Sequence, residues 1–167
     1  QYPNRILRIL PKWQRGGRVS SLNSGLSISN GEIIMALDGD TSFNNEIVIA
    51  RSFRYRAPGI SYDFLKAYPN ITFVGLKEEY EDLKQAIPAL KYKAVSNFLE
   101  LAQIIAGSKF FIGNQSFPFA LAEALKVKRV LEVCFECPNV IPEGPDAYDF
   151  LYQPQFEKVV RQLDQRS

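Results

Sequence analysis

The sequence contains no histidine. That absence removes the commonest general base, the Ser-His and Cys-His nucleophile pairs, and most zinc sites. Cysteine is scarce as well: only Cys134 and Cys137 occur, in the run Cys-Phe-Glu-Cys. A zinc site would need further ligands, and a redox pair is expected at a helix N-terminus, whereas Pro138-Asn139 and a loop follow here. The two thiols are read as incidental, in a reducing compartment. No apolar run approaches ~20 residues, so no membrane span is expected. The polar, basic start carries no signal-peptide pattern. Acidic residues are missing from residues 1–31, which hold Arg5, Arg8, Lys12, Arg15 and Arg18. Such a segment fits either a phosphate-facing surface or a solvated basic one. The basic residues are too few and too concentrated there for nucleic-acid binding to be expected.

What remains is an ordinary globular composition, with 46% hydrophobic and 23% charged residues over 167 positions. That length makes one domain, or one and a fraction, with a real core. The organising stretch is 107–133, GSKFFIGNQSFPFALAEALKVKRVLEV. Lys109 to Ile112 reads as a buried strand, and Gly113-Asn114-Gln115-Ser116 as a turn into a helix. Phe117, Ala120, Leu121, Ala124 and Leu125 recur at helical spacing and predict one apolar stripe. Ser116 is the expected N-cap, and Pro118 sits in the first turn, where a missing N–H costs little. A strand from Arg129 to Cys134 follows. In such a unit the helix N-terminus points its dipole and free N–H groups into the crevice where parallel sheets bind ligands. Any strand–helix turn also has this form without binding anything.

The rest of the chain alternates in the same rhythm. Strands are expected at Arg5–Leu10, Glu32–Leu37, Glu46–Ser52, Ile71–Leu76, Lys91–Val95 and Asp149–Tyr152. Helices are expected at Val19–Ser29, from Ser61 with Tyr62, Leu65 and Tyr68 on one face, and at Lys77–Ile87. Two more are expected at Phe98–Ala106, capped by Asn97, and at Pro154–Gln165. The spacing predicts a three-layer α/β, Rossmann-like fold: a mostly parallel sheet with helices on both faces. Asp38-Gly39-Asp40 ends a buried strand, where two carboxylates can share Mg²⁺ or Mn²⁺ with a diphosphate; the same tripeptide is also a common solvated turn.

The run GGRVSSLNSGLSISNGEIIMALDGDTSF resembles family 2 (GT-A) glycosyltransferases. Gly16, Gly17, Leu22, Asn23, Gly25, Leu26, Gly31, Glu32, Asp38 and Asp40 stand where that family's pattern puts them, and Arg18 replaces its usual lysine. The resemblance implies that Asp38 and Asp40 form the metal and nucleotide-diphosphate motif, with Arg18 and Asn23 among the nucleotide-sugar contacts. It covers residues 12–45 and lacks the family's own N-terminal nucleotide motif, its downstream catalytic base and its Gln-x-x-Arg-Trp-type motif.

Residues 46–163 resemble instead the C-terminal donor-binding domain of GT-B glycosyltransferases, nearest the heptosyltransferase-like family 9. The resemblance rests on Ile49 to Arg56, on Phe73 to Tyr80, and on Phe111-Ile112-Gly113-Asn114-Gln115-Ser116 with Ala122-Glu123-Ala124-Leu125 and Val130. By it, Gly113, Asn114, Gln115 and Ser116 would bind donor phosphates and Glu123 the nucleotide ribose. The Asp-Ser-Gly-x-x-His pattern and an N-terminal acceptor domain are missing.

The chain is thus expected to comprise a 1–45 strand–helix–strand segment and a 46–167 Rossmann-like domain, either separate or sharing one sheet. The expected function is a glycosyltransferase or its nucleotide-sugar-binding portion, using Mg²⁺ or Mn²⁺ only if Asp38 and Asp40 work. A glycan or lipid-linked acceptor, and a missing acceptor domain or partner chain, complete that expectation. So does a cytoplasmic location, with peripheral contact at the inner face of a membrane. No catalytic base is assigned. The alternative is a non-catalytic nucleotide-binding relic or scaffold of the same fold.

Overall fold

The computed structural model describes residues 46–136 and 140–165. The expected elements before Glu46, and with them Arg18, Asn23, Asp38 and Asp40, lie outside the described residues.

Six strands form one sheet: β1 Ile47–Ala50, β2 Ile71–Phe73, β3 Lys91–Tyr92, β4 Phe110–Asn114, β5 Arg129–Glu132 and β6 Ala147–Phe150. Every pairing is parallel, in the order β3-β2-β1-β4-β5-β6. Four α-helices connect or follow them: α1 Lys77–Ala86, α2 Phe98–Ala106, α3 Phe117–Leu125 and α4 Gln153–Gln165. The alternation of side chains along a strand divides the core between the two faces. Ile47, Ile49, Phe73, Phe110, Ile112, Val130 and Phe150 pack on one face with α1 and α4. Val48, Ala50, Val74, Phe111 and Leu131 pack on the other with α2 and α3. The fold is the expected three-layer, Rossmann-like α/β arrangement, and its sheet is parallel throughout.

Local chemistry explains where elements differ from the sequence reading. Asn97 caps α2 as expected, its Oδ1 accepting the Glu100 N–H at 2.9 Å. The helix expected after Ser61 is instead a 3-10 segment, Asp63–Ala67. Tyr62, Leu65 and Tyr68 are spaced strictly by three, the repeat at which 3-10 side chains align, and Pro69 stops the chain from continuing. The expected stripe on α3 has the wrong phase. Phe119 and Ala122 are its buried residues, while Phe117 and Ala124 are exposed. The helix sequence FPFALAEAL is apolar on nearly every side, so periodicity could not choose a face. The strand β3 is only two residues long, and β6 begins two residues earlier than expected.

Candidate functional site

In this strand order the chain moves outward from β1 in one direction and from β4 in the other. The loops after β1 and β4 therefore diverge at their C-terminal ends, leaving the crevice where open parallel sheets bind ligands. The loop after β1 is the basic, aromatic run Arg51-Ser52-Phe53-Arg54-Tyr55-Arg56. The expected turn Gly113-Asn114-Gln115-Ser116 is divided: Gly113 and Asn114 end β4, and Gln115-Ser116 lead into α3.

Each candidate residue of that turn has an internal task. Gly113 has no positive φ. A Cβ there would lie 2.7 Å from Phe111 Cε1 and 3.1 Å from the Ala50 carbonyl oxygen, so glycine is needed for packing against β1. Asn114 is fully buried, and its side chain bridges the switch point. Its Nδ2 donates to the Ser52 carbonyl at 2.7 Å and its Oδ1 accepts the Ser52 N–H at 3.1 Å. Gln115 reaches the other way, its Oε1 accepting the Cys134 N–H at 2.7 Å. Cys134 is a buried free thiol, and Cys137 lies outside the described residues. Ser116 occupies the N-cap position, but its hydroxyl does not cap α3 and leans toward the Asn114 carbonyl at 3.4 Å. The Phe119 and Ala120 N–H groups both turn to the Ser116 carbonyl, and Pro118 has none. The Phe117 N–H has no hydrogen-bond partner among the described residues.

Glu123 lies away from these groups, in an ion-pair cluster. It meets Lys126 and the fully buried Arg129, whose Nη2 in turn donates to the Glu143 carbonyl. Burial works to raise the Glu123 carboxyl, and Arg129 and Lys126 outweigh it, holding the group below the usual carboxylate range. The cluster fastens the segment before β6 to α3.

The dominant polar feature of this sheet edge was not visible in the sequence. Glu132, the fully buried last residue of β5, accepts from Arg51 Nε at 2.7 Å and from Arg51 Nη2 at 2.8 Å. It also accepts the Ala57 N–H at 2.8 Å and the Tyr62 hydroxyl at 2.9 Å. Arg51 lies over the Tyr62 ring, 4.3 Å from its centroid. Burial, and then the Glu132 charge, push the Tyr62 phenol well above its ordinary range. Burial pulls the Arg51 pKa down, but the bond and charge of Glu132 more than compensate and leave it raised. One carboxylate thus pins both ends of the loop after β1. The signal that could have found it was two charged residues, Arg129 and Glu132, in a strand otherwise read as buried, where each charge needs a partner.

Within that loop some polar atoms remain unmatched. Ser52 Oγ, Arg56 Nε and Arg56 Nη2 are hidden from solvent and have no hydrogen-bond partner among the described residues. Arg56 Nη1 pairs with Asp82 Oδ2 of α1 at 2.7 Å. Among the described residues no group of three or more His, Cys, Asp or Glu could hold a metal ion, and no helix is long and apolar enough to cross a membrane. The chain matches no protein-family model, no curated protein and no solved structure.

Proposed function

We propose that this domain is the donor-binding portion of a glycosyltransferase, holding a nucleoside-diphosphate sugar at the switch point between β1 and β4. The observation that carries the reading is the strand order, which sets the arginine-bearing loop after β1 beside the α3 N-terminus. A departing nucleoside diphosphate needs fixed positive charge and N–H donors where its own charge develops. Arg54, Arg56 and the Phe117 N–H are groups of that kind. Internal pinning by Asn114 and Glu132 means that the loop need not be ordered again when donor binds, which favours affinity. The acceptor, glycan or lipid-linked, would be held by another domain or partner chain. Asp38 and Asp40 remain the candidate Mg²⁺ or Mn²⁺ ligands of the preceding segment.

A specific observation favours the second reading, a non-catalytic binding or interaction module. Phe53, Leu76, Phe98, Phe117, Phe135 and Tyr152 are exposed, and one of them follows each of the six strands. Phe98 and Phe117 also meet each other, with ring centroids 4.9 Å apart. Aromatic side chains with nearby arginine are enriched at protein interfaces.

Thermal-shift titration with UDP, GDP, CMP, ADP and their sugars, with and without Mn²⁺, tests the first reading. Ligand at a hundred times its Kd stabilises by about 2.7 kcal/mol. A metal-independent shift that weakens in Arg54→Ala supports binding at the switch point. A Mn²⁺-dependent shift lost in Asp40→Ala moves the site to residues 1–45. No shift with any nucleotide leaves the interaction module, and turnover of a bound donor separates enzyme from relic.

A further inference from the structure

We infer that the Nε–Nη2 edge of Arg56 is a binding site for a phosphate oxyanion. The inference rests on the donor-binding reading and names the group that would hold the diphosphate. Nε and Nη2 share one edge of the planar guanidinium and present two parallel N–H bonds, the fork that fits a carboxylate or phosphate.

The same loop shows what that edge accepts. Arg51 offers the same two atoms to the two oxygens of Glu132, at 2.7 and 2.8 Å. Five residues on, Arg56 holds the identical edge out of solvent with no hydrogen-bond partner among the described residues. Leaving charged donors both desolvated and unmatched is unfavourable, and such groups call for an explanation. A structural ion pair does not supply one here. Asp82 occupies only Nη1, at 2.7 Å, and so fixes the orientation of the group without using the fork.

The surroundings favour a preformed site. The guanidinium lies over the Phe53 ring, 4.5 Å from its centroid. Phe53 is half exposed, and the short 3-10 turn that carries it has no buried residue. Asp82 of α1 holds Arg56 from its other nitrogen, so the guanidinium is fixed between that carboxylate and the ring. Ser52 is fixed through its backbone by Asn114 at both N–H and carbonyl, which leaves its hydroxyl as a second unmatched donor on the same loop.

The test is calorimetric titration of the full chain with inorganic pyrophosphate, UDP and malonate, using the parent, Arg56→Lys, Arg56→Met and Lys158→Ala. Loss of a hydrogen bond to a charged group weakens binding by about tenfold to a hundredfold. Pyrophosphate and UDP should bind the parent and Lys158→Ala alike. Arg56→Lys, which keeps the charge but not the fork, should weaken both by about tenfold or more. Arg56→Met should abolish pyrophosphate binding. Undiminished pyrophosphate binding in Arg56→Lys would overturn the fork, and a preference for malonate would overturn the phosphate. UDP binding that is equal in all four proteins would refute this inference but keep the donor-binding reading. No binding of pyrophosphate or UDP to the parent would remove both.

Discussion

Replacing Glu132 by glutamine tests whether one buried carboxylate holds the loop after β1. The substitution preserves shape and removes the charge and one of the two acceptor oxygens. Each oxygen now serves two donors: Arg51 Nη2 and the Ala57 N–H at one, Arg51 Nε and the Tyr62 hydroxyl at the other. The amide keeps most bonds if its oxygen faces Ala57, because the Tyr62 hydroxyl can rotate to accept from the new NH₂. Arg51 Nε then faces a donor, and the guanidinium is left buried without a counter-charge. Breaking a buried ion pair from one side costs about 3–5 kcal/mol, and the retained amide bonds place Glu132→Gln near the lower figure. With a urea slope of about 1.5 kcal/mol/M, a loss of about 3 kcal/mol lowers the midpoint by about 2 M. Equilibrium urea unfolding, followed by aromatic fluorescence, measures it. The double variant Arg51→Met with Glu132→Gln removes the stranded guanidinium while keeping an acceptor for the Ala57 N–H, and should recover part of the loss. A Glu132→Gln midpoint within the error of the parent would refute the reasoning, since the pair would then be contributing nothing.

Three further outcomes follow from the same geometry. Gly113→Ala forces a methyl against Phe111 and the Ala50 carbonyl and should cost about 1–3 kcal/mol in urea unfolding, with no change expected if β4 relaxes freely. Asn114→Ala strips both backbone groups of Ser52 of their partners and should cost about 2–4 kcal/mol, together with faster amide exchange at Ser52. The Glu100 carboxylate is held down to about 2 by bonds from the Ser96 hydroxyl and the Ser96 N–H, and then by Lys93. Because the folded pKa is depressed, its contribution to stability is present above the ordinary carboxylate value and is lost as pH falls from about 4.5 toward 2. Carboxyl NMR titration reads this midpoint directly, and Ser96→Ala should return it toward the ordinary range.

Elements governed by near-neighbour chemistry were legible in the sequence. Asn97 announces α2 by its side chain, and the short apolar runs at Ile47–Ala50 and Phe110–Ile112 can hardly be other than buried strands. The candidate turn was legible as a position, since Gly113 to Ser116 does end β4 and start α3. What its side chains bond to was not, because their partners, Ser52 and Cys134, are brought near only by strand order. The Arg51–Glu132 pair is the clearest case: 81 residues separate the two, and no spacing rule links them. The phase of α3 failed for a different reason. A helix with apolar residues on nearly all sides carries no periodic signal, and the face that turns inward, with Phe119 and Ala122, is the one that packs with Phe111 and Leu131 of the sheet.

The most direct measurement of the central claim is an amide chemical-shift map of the full chain titrated with a nucleoside diphosphate. The expected result is a set of shifts concentrated at Ser52 to Ala57 and at Ser116 to Phe119, on the two sides of the β1–β4 switch point. Shifts confined to the opposite sheet edge around Lys126 to Lys128, or to the Lys158 and Arg161 surface of α4, would contradict a donor site at the switch point.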